Sequence, residues 1–140
     1  MKSFDDGRVL LAISGGVDSG VGAALLKEQG FNILAVTLLL SDDGKNDDES
    51  QNVAREICSR LKIEHEIWDC RSEFSELVLK SAWNEYAQGR TPSPCIVCNK
   101  KLKFGLLQKR AWERGCNAIA TGHHARIAWE DDLPCLLKGR

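Results

Sequence analysis

The sequence predicts an α/β fold in which a doubly wound, mostly parallel sheet carries helices on both faces. Short apolar runs suited to buried parallel strands recur along the chain, beginning with RVLLAI at residues 8–13. Segments with apolar residues at helical spacing lie between these runs. The first run leads through the glycine turn SGG into a helix, which is the connection that such sheets use.

The first half of the chain predicts a βαβ unit followed by a loop. Residues 8–13 form the first strand, and a helix is expected over residues 17–30, where Gly30 ends it. The apolar run FNILAVTLLL at residues 31–40 is the second strand. Residues 41–50 are all polar, so we expect a mobile acidic loop there.

The second half continues the alternation of helices and strands. The expected elements are a helix over 51–62, a strand over 63–69, helices over 72–86 and 101–115, a strand over 116–122, and an edge strand with a turn after residue 125. Pro92 and Pro94 predict a loop before the last helix. No structure is expected for residues 136–140.

Length and composition predict a single cytoplasmic domain over residues 1–140. A chain of 140 residues with 43% hydrophobic content can form one core and is short for two. Its 19 Lys and Arg balance 20 Asp and Glu, which excludes a strong overall attraction to nucleic acid or membranes. No membrane-spanning run or cleavable leader pattern is found. Of the six cysteines, Cys58 and Cys116 are expected to be core thiols.

The loop SGGVDS, Ser14 to Ser19, predicts an anion site, most simply for a phosphate. Glycines let several backbone N–H groups face one point at the start of a helix, where the helix dipole is positive. The loop lacks the lysine and spacing of a Walker P-loop and the Gly-x-Gly-x-x-Gly of dinucleotide-binding folds. Asp18 is expected to bind a Mg²⁺ shared with the phosphate, with helix capping as the alternative.

With its preceding strand, SGGVDS resembles the signature of the PP-loop ATP pyrophosphatases. This resemblance implies that ATP is split to AMP and pyrophosphate, with the AMP placed on a substrate oxygen. Two later motifs, GRTPSPCIVCNKKLKFG at 89–105 and ATGHHAR at 120–126, and their spacing from the loop resemble the N-terminal catalytic domain of the tRNA-specific 2-thiouridylases. The implied activity is that of a tRNA-uridine 2-sulfurtransferase.

The resemblance also implies roles for individual residues. Cys98, directly before Asn99 and Lys100, takes the position of the catalytic thiol. Asp18 is expected to assist catalysis through the Mg²⁺ that its place beside the phosphate predicts, independently of the resemblance. ATP contacts are implied for Ala12, Ile13, Ser14, Gly15, Gly16, Val17, Asp18, Ser19, Leu38 and Gly122. Contacts with tRNA are implied for His123 and expected for Asn99, Lys100 and Lys103. From the residues alone, His123 and His124 also fit an ordinary polar loop.

Full-length members of the family that this sequence resembles are larger than this chain. They carry a central domain and a C-terminal β-barrel that grip tRNA, and a second cysteine that carries the persulfide beyond the equivalent of residue 140. A persulfide donor protein is the implied partner. Gly20, Ser93 and His124 stand where family members usually carry serine, asparagine and tyrosine.

From the residues alone, Cys95 and Cys98 fit a metal clip, a redox pair or a nucleophile with a neighbour. The lysines after Cys98 are expected at the start of a helix, where their charge and the helix dipole favour a thiolate. An iron–sulfur cluster on Cys95, Cys98 and a third cysteine is an alternative, whereas zinc lacks a second ligand pair at finger spacing. Two rival functions are sulfur transfer or desulfuration of a small molecule and nucleotide binding without turnover.

Overall fold

The computed structural model describes residues 7–41 and 45–139, which contain a four-stranded parallel sheet. Its strands are β1 (Arg8–Ala12), β2 (Asn32–Leu39), β3 (Glu64–Asp69) and β4 (Cys116–Ala120). They lie in the order β3-β2-β1-β4, and each neighbouring pair is parallel. The central strands are almost wholly apolar because both of their faces are covered, which confirms the predicted α/β sheet.

The described residues form four helices. Helix α1 is Val17–Glu28 and α2 is Lys45–Leu61. Helix α3 spans residues 71–87 without a break and consists of Arg71–Phe74, a π-helical segment Ser75–Leu79, and Lys80–Ala87. Helix α4 spans residues 94–113 and consists of Pro94–Val97, a π-helical segment Cys98–Leu106, and Leu107–Glu113. None of these helices is long and apolar enough to cross a membrane.

Side chains that alternate along the strands divide the core into two layers. Leu11 packs with Cys58 of α2 on the face that α1 and α2 cover. Leu10 points to the opposite face, where it packs with Ala111 of α4 and Cys116 of β4. Helices on both faces were predicted, and so were the two core thiols: Cys58 and Cys116 are each 1% exposed.

The start of α2 corrects the prediction of a loop over residues 41–50. Residues 45–50 form the first turns of α2, while 42–44 lie outside the described residues. Acidic side chains near a helix N-terminus are favourable because the helix dipole is positive there, and Asp48 and Glu49 lie in this part of α2. A polar, acidic segment therefore begins a helix here.

Helix α4 corrects the predicted loop at Pro94. The helix begins at Pro94, whereas the sequence predicted a start at residue 101. Proline suits the first position of a helix because its fixed φ is helical and its missing N–H would have no partner within the helix. Cys98 therefore lies one turn inside α4, at the beginning of a π-helical segment, a rare geometry that is frequent at functional sites.

The last described residues form a β-hairpin, which corrects the expectation of an edge strand with an unstructured end. Strand β5 (Ala125–Glu130) pairs antiparallel with β6 (Leu133–Lys138) as a separate two-stranded sheet. Asp131 and Asp132 form the turn with φ of 48° and 63°. Two positive φ values define the type I′ turn that matches strand twist, but glycine is its usual marker and is absent here.

Helices α1 and α2 end in the same hydrogen-bonded motif but with different residues in the left-handed conformation. These residues are Gly30 (φ 81°) after α1 and Lys62 (φ 53°) after α2. After α2, the amide of Ile63 donates to the carbonyl oxygen of Cys58 at 2.9 Å, as in a Schellman motif. A side chain with a Cβ is strained in this conformation, whereas glycine is not.

The substitution Lys62→Gly is expected to raise the free energy of unfolding by about 0.5–1 kcal/mol, because it removes this strain. Urea unfolding monitored by circular dichroism measures the change. The control Lys109→Gly places glycine inside α4 and is expected to lower the free energy by about 1 kcal/mol. A lower urea midpoint for Lys62→Gly would contradict the prediction.

Candidate nucleotide-binding site

The candidate site lies where the order of strands changes direction. The chain moves outward from β1 through β2 to β3 and then returns to the other side of β1 as β4. Ligands bind at this point in open parallel sheets, because the loops after the two strands diverge and leave a crevice. A cavity of about 470 Å³ opens here, which is a usual size for a small-molecule site.

Most of the residues that the sequence assigns to the site line this cavity. They are Ala12, Ile13, Ser14, Gly16, Asp18, Ser19, Leu38, Lys103, Gly122 and His123. Gly15, Val17, Cys95, Cys98, Asn99 and Lys100 are not among the lining residues. The cavity thus brings together the glycine loop, one lysine of α4 and the loop after β4.

Seven lining residues were not identified from the sequence: Val36, Thr37, Leu39, Leu40, Ser50, Gln51 and Thr121. Thr37 is the single hydroxyl residue within the apolar run of β2, and this signal was available in the sequence. Ser50 and Gln51 lie in α2, where the predicted loop over residues 41–50 meets the helix predicted over 51–62. Their position therefore could not follow from that prediction.

The glycine loop is fixed by its own backbone and by two serines. Gly15 has φ +78°, and a Cβ at this position would lie 2.4 Å from the carbonyl oxygen of Ser50. The amide of Ser14 donates to Ser19 Oγ at 3.2 Å, and Ser19 Oγ donates to the carbonyl oxygen of Gly16 at 3.0 Å. The loop is therefore tight, and glycine is required where it passes α2.

Gly122 brings the loop after β4 against the start of α1. A Cβ at Gly122 would lie 2.9 Å from the amide nitrogen of Ser19 and 3.2 Å from Cβ of Asp18. The carboxylate of Asp18 makes no cap hydrogen bond, since α1 follows Gly16 without a side-chain cap. It lies 3.2 Å from Nε2 of His124 and is largely exposed. Asp18 is thus available at the cavity wall.

His123 links the loop after β4 to α4. Its Nε2 donates to Oδ1 of Asn99 at 3.2 Å, and its ring lies 5.6 Å from that of Phe104. Partial burial lowers the pKa of His123, and the nearby charge of Lys103 lowers it further. A neutral imidazole at the cavity wall is the consequence, and it connects Asn99, which does not line the cavity, to the site.

Cys98 lies next to the cavity but inside the core. The side chain is 8% exposed and packs with Val78 and Leu102. Burial raises the pKa of the Cys98 thiol, while the charge of Lys103 opposes that shift and Cys95 adds to it. A lysine does favour the thiolate as expected, but burial outweighs the charge of Lys103, and α4 begins at Pro94, before Cys98.

No three His, Cys, Asp or Glu side chains among the described residues come together as ligands for one metal ion. Cys95 is exposed on α4 and Cys98 is buried, so the described part of the chain supplies at most this pair for a cluster. These residues therefore do not fit a complete iron–sulfur site. A single carboxylate such as Asp18 fits Mg²⁺, which takes its other ligands from phosphate and water.

The fold and the cavity define a Rossmann-like α/β nucleotide-binding domain with a PP-loop. A family model described as "tRNA methyl transferase HUP domain" matches residues 7–140, and the chain belongs to this family. The predicted resemblance to the N-terminal domain of this PP-loop family is thereby confirmed.

Curated relatives carry the name of a sulfur-transfer enzyme. The tRNA-specific 2-thiouridylase MnmA of Syntrophomonas wolfei is 40% identical over 134 residues, which cover 94% of this chain and 38% of that protein. The protein of the same name from Salinibacter ruber is 41% identical over 145 residues, covering 96% of this chain and 38% of that protein. The chain therefore spans less than half the length of these relatives.

Solved structures share the fold at lower identity. The structure described as "predicted subunit of tRNA methyltransferase" from Methanocaldococcus jannaschii matches with a TM-score of 0.59 and 22% identity, over 84% of this chain and 53% of that one. NMN synthetase from Francisella tularensis matches with a TM-score of 0.53 and 23% identity, over 81% of this chain and 44% of that one. Both comparisons support the α/β architecture alone.

Proposed function

We propose that the chain binds ATP and forms the adenylating part of an enzyme that replaces the C2 oxygen of a tRNA uridine with sulfur. The observation that carries the proposal is the meeting of three motifs at one cavity. Ser14 and Ser19 of the glycine loop, Lys103 of α4 and His123 after β4 all line it. A phosphate site, a cation and a neutral imidazole next to a helix with a cysteine provide the groups that adenylation followed by sulfur transfer needs.

The proposed chemistry has three steps. The glycine loop holds the pyrophosphate of ATP, while Val36 and Leu38 offer apolar surface to the adenine. The uridine C2 oxygen attacks the α-phosphate, so that an O–P bond forms and the bond to pyrophosphate breaks. The outer sulfur of a persulfide on a donor cysteine then attacks C2, and AMP leaves with the oxygen. The Cys98 thiolate next attacks the inner sulfur of the resulting adduct, which releases the 2-thio product and leaves a disulfide between Cys98 and the donor cysteine, to be reduced by a thiol reductant before the next turnover. Cys98 is the proposed catalytic thiol.

Asp18 is the proposed Mg²⁺ ligand at the cavity wall. Bound Mg²⁺ would neutralise phosphate charge. The carboxylate of Asp18 lies 3.2 Å from Nε2 of His124. No role is assigned to an iron–sulfur cluster, because the described residues do not supply its ligands.

A tRNA substrate and a persulfide donor protein are the proposed partners. The relatives named above are described as tRNA-specific, and Lys103 and His123 line the cavity where a uridine would meet ATP. Asn99 is hydrogen-bonded to His123, and Lys100 follows it on α4 with an exposed side chain. A phosphate backbone contact would suit Lys100. The proposed compartment is the cytoplasm.

The test is incubation of the protein with ATP, Mg²⁺, a persulfide donor, a thiol reductant and an unmodified tRNA transcript. We expect AMP and pyrophosphate to be released only when tRNA is present, with one sulfur-for-oxygen exchange detected by nucleoside mass spectrometry. AMP release in the presence of a small-molecule sulfur acceptor, with no sulfur incorporated into the tRNA, would favour the small-molecule enzyme. ATP binding without AMP under either condition would favour a nucleotide-binding module.

A further inference from the structure

We propose that His65 positions the glycine loop from outside the cavity, acting through Thr37. His65 belongs to β3 and is not among the cavity-lining residues. Thr37 belongs to β2, is 5% exposed and does line the cavity. The inference extends the proposed function, because it adds a positioning residue behind the nucleotide site, and it rests on that function only for the identity of the ligand.

The two hydrogen bonds of the Thr37 hydroxyl group determine which partner donates to it and which accepts from it. Thr37 Oγ1 lies 2.9 Å from the carbonyl oxygen of Ile13 and 2.8 Å from Nε2 of His65. A carbonyl oxygen can only accept, so the single hydroxyl proton of Thr37 points to Ile13. His65 must then donate from Nε2, which defines its tautomer. Burial lowers the pKa of His65, and the charge of Arg55 lowers it further, so the ring is neutral.

The peptide group between Ile13 and Ser14 is held at both ends by side chains. Its carbonyl oxygen, on Ile13, accepts from Thr37, and its N–H, on Ser14, donates to Ser19 Oγ at 3.2 Å. Ser19 Oγ in turn donates to the carbonyl oxygen of Gly16 at 3.0 Å. One uninterrupted chain of donors and acceptors therefore runs from His65 to the backbone of the glycine loop.

This arrangement controls the direction of the first peptide plane of the loop. A hydroxyl group that accepts one hydrogen bond and donates another has its rotation fixed, whereas Thr37 without His65 keeps only its bond to Ile13. The plane between Ile13 and Ser14 determines where the following loop amides point. A small misdirection of such groups weakens binding of an anion.

The test compares three variants. His65→Leu removes the donor, His65→Gln keeps an N–H donor at a similar reach, and Ile63→Ala lowers stability in the core next to β3 without touching the hydrogen-bond chain. Amide exchange of Ser14 in the ligand-free protein is measured by NMR, and ATP affinity is measured by titration of each folded variant.

We expect His65→Leu to speed exchange of the Ser14 amide and to weaken ATP binding, each by roughly five- to tenfold. His65→Gln should keep most of the slow exchange of the Ser14 amide and most of the ATP affinity. Ile63→Ala should lower the unfolding temperature without a selective effect on exchange at Ser14. Unchanged exchange in His65→Leu, or the same increase in Ile63→Ala, would overturn the inference and leave the proposed function intact. Absence of ATP binding by the unaltered protein, with the exchange pattern as expected, would overturn the proposed function alone.

Discussion

Replacing Cys98 with serine is expected to reduce sulfur incorporation into tRNA by on the order of 10³-fold or more, with ATP affinity unchanged. A hydroxyl group is a far weaker nucleophile and cannot form the disulfide that releases the thio product. Serine is close in size to cysteine, and Cys98 does not line the cavity, so neither the core nor the nucleotide site should change much. Nucleoside mass spectrometry and ATP titration measure the two effects on one preparation.

Cys95→Ser is the matched control, since it makes the same change on the same helix at an exposed position. This variant should keep most of the activity, because Cys95 takes no part in the proposed chemistry. Loss of activity in Cys95→Ser with an active Cys98→Ser would contradict the assignment of the thiol and give Cys95 that role.

The burial of Cys98 adds a pH dependence to the same experiment. Because burial raises the pKa of the thiol, the thiolate fraction at neutral pH is smaller than for an exposed cysteine. The rate of sulfur transfer should therefore increase as the pH rises from neutral towards the pKa of Cys98. A rate that is flat across this range would mean that the thiolate forms in another conformation or that its formation does not limit the rate.

The glycine loop and the strands were predictable because they depend on local chemistry. An apolar run such as residues 8–13 can be satisfied only by burial on both faces, and the residues from Ser14 to Ser19 place donors at a helix start whatever surrounds them. The carboxyl-edge location of the site then follows from parallel strands alone.

The errors arose where a local signal has two structural outcomes. Proline ends a helix in its interior but begins one at its first position, and Pro94 does the latter. Polar, acidic residues are typical of loops and also of helix starts, which is how residues 45–50 came to be misassigned. The hairpin turn at Asp131 and Asp132 lacks the glycine that would have marked it.

The state of Cys98 depends on contacts that no local pattern contains. Its burial results from packing between α3 and α4, through Val78 and Leu102. The link from Asn99 to His123 likewise joins segments that are far apart in the chain. Sequence motifs named these residues, but only the fold decides which of them face the cavity and which lie behind it.

The substitution Gly15→Ala is expected to weaken ATP binding by roughly tenfold or more, corresponding to about 1.4 kcal/mol. Two costs combine at this position. Gly15 has φ +78°, where an alanine is strained, and its Cβ would lie 2.4 Å from the carbonyl oxygen of Ser50. Since the carbonyl oxygen of Ser50 belongs to the backbone of α2, either the glycine loop or α2 must move. Both contribute to the wall of the cavity. Calorimetric titration with ATP measures the loss.

Gly30→Ala separates these two costs, because Gly30 has a similar φ of +81° but no atom within 4 Å of the added Cβ. This variant should lose about 1 kcal/mol of stability from the strained φ and retain its ATP affinity. If both variants lose the same stability and bind ATP equally well, the close approach of the loop to α2 has no part in binding. A selective loss in Gly15→Ala instead ties the affinity to the contact between the glycine loop and Ser50, a contact that depends on α2 beginning before residue 50.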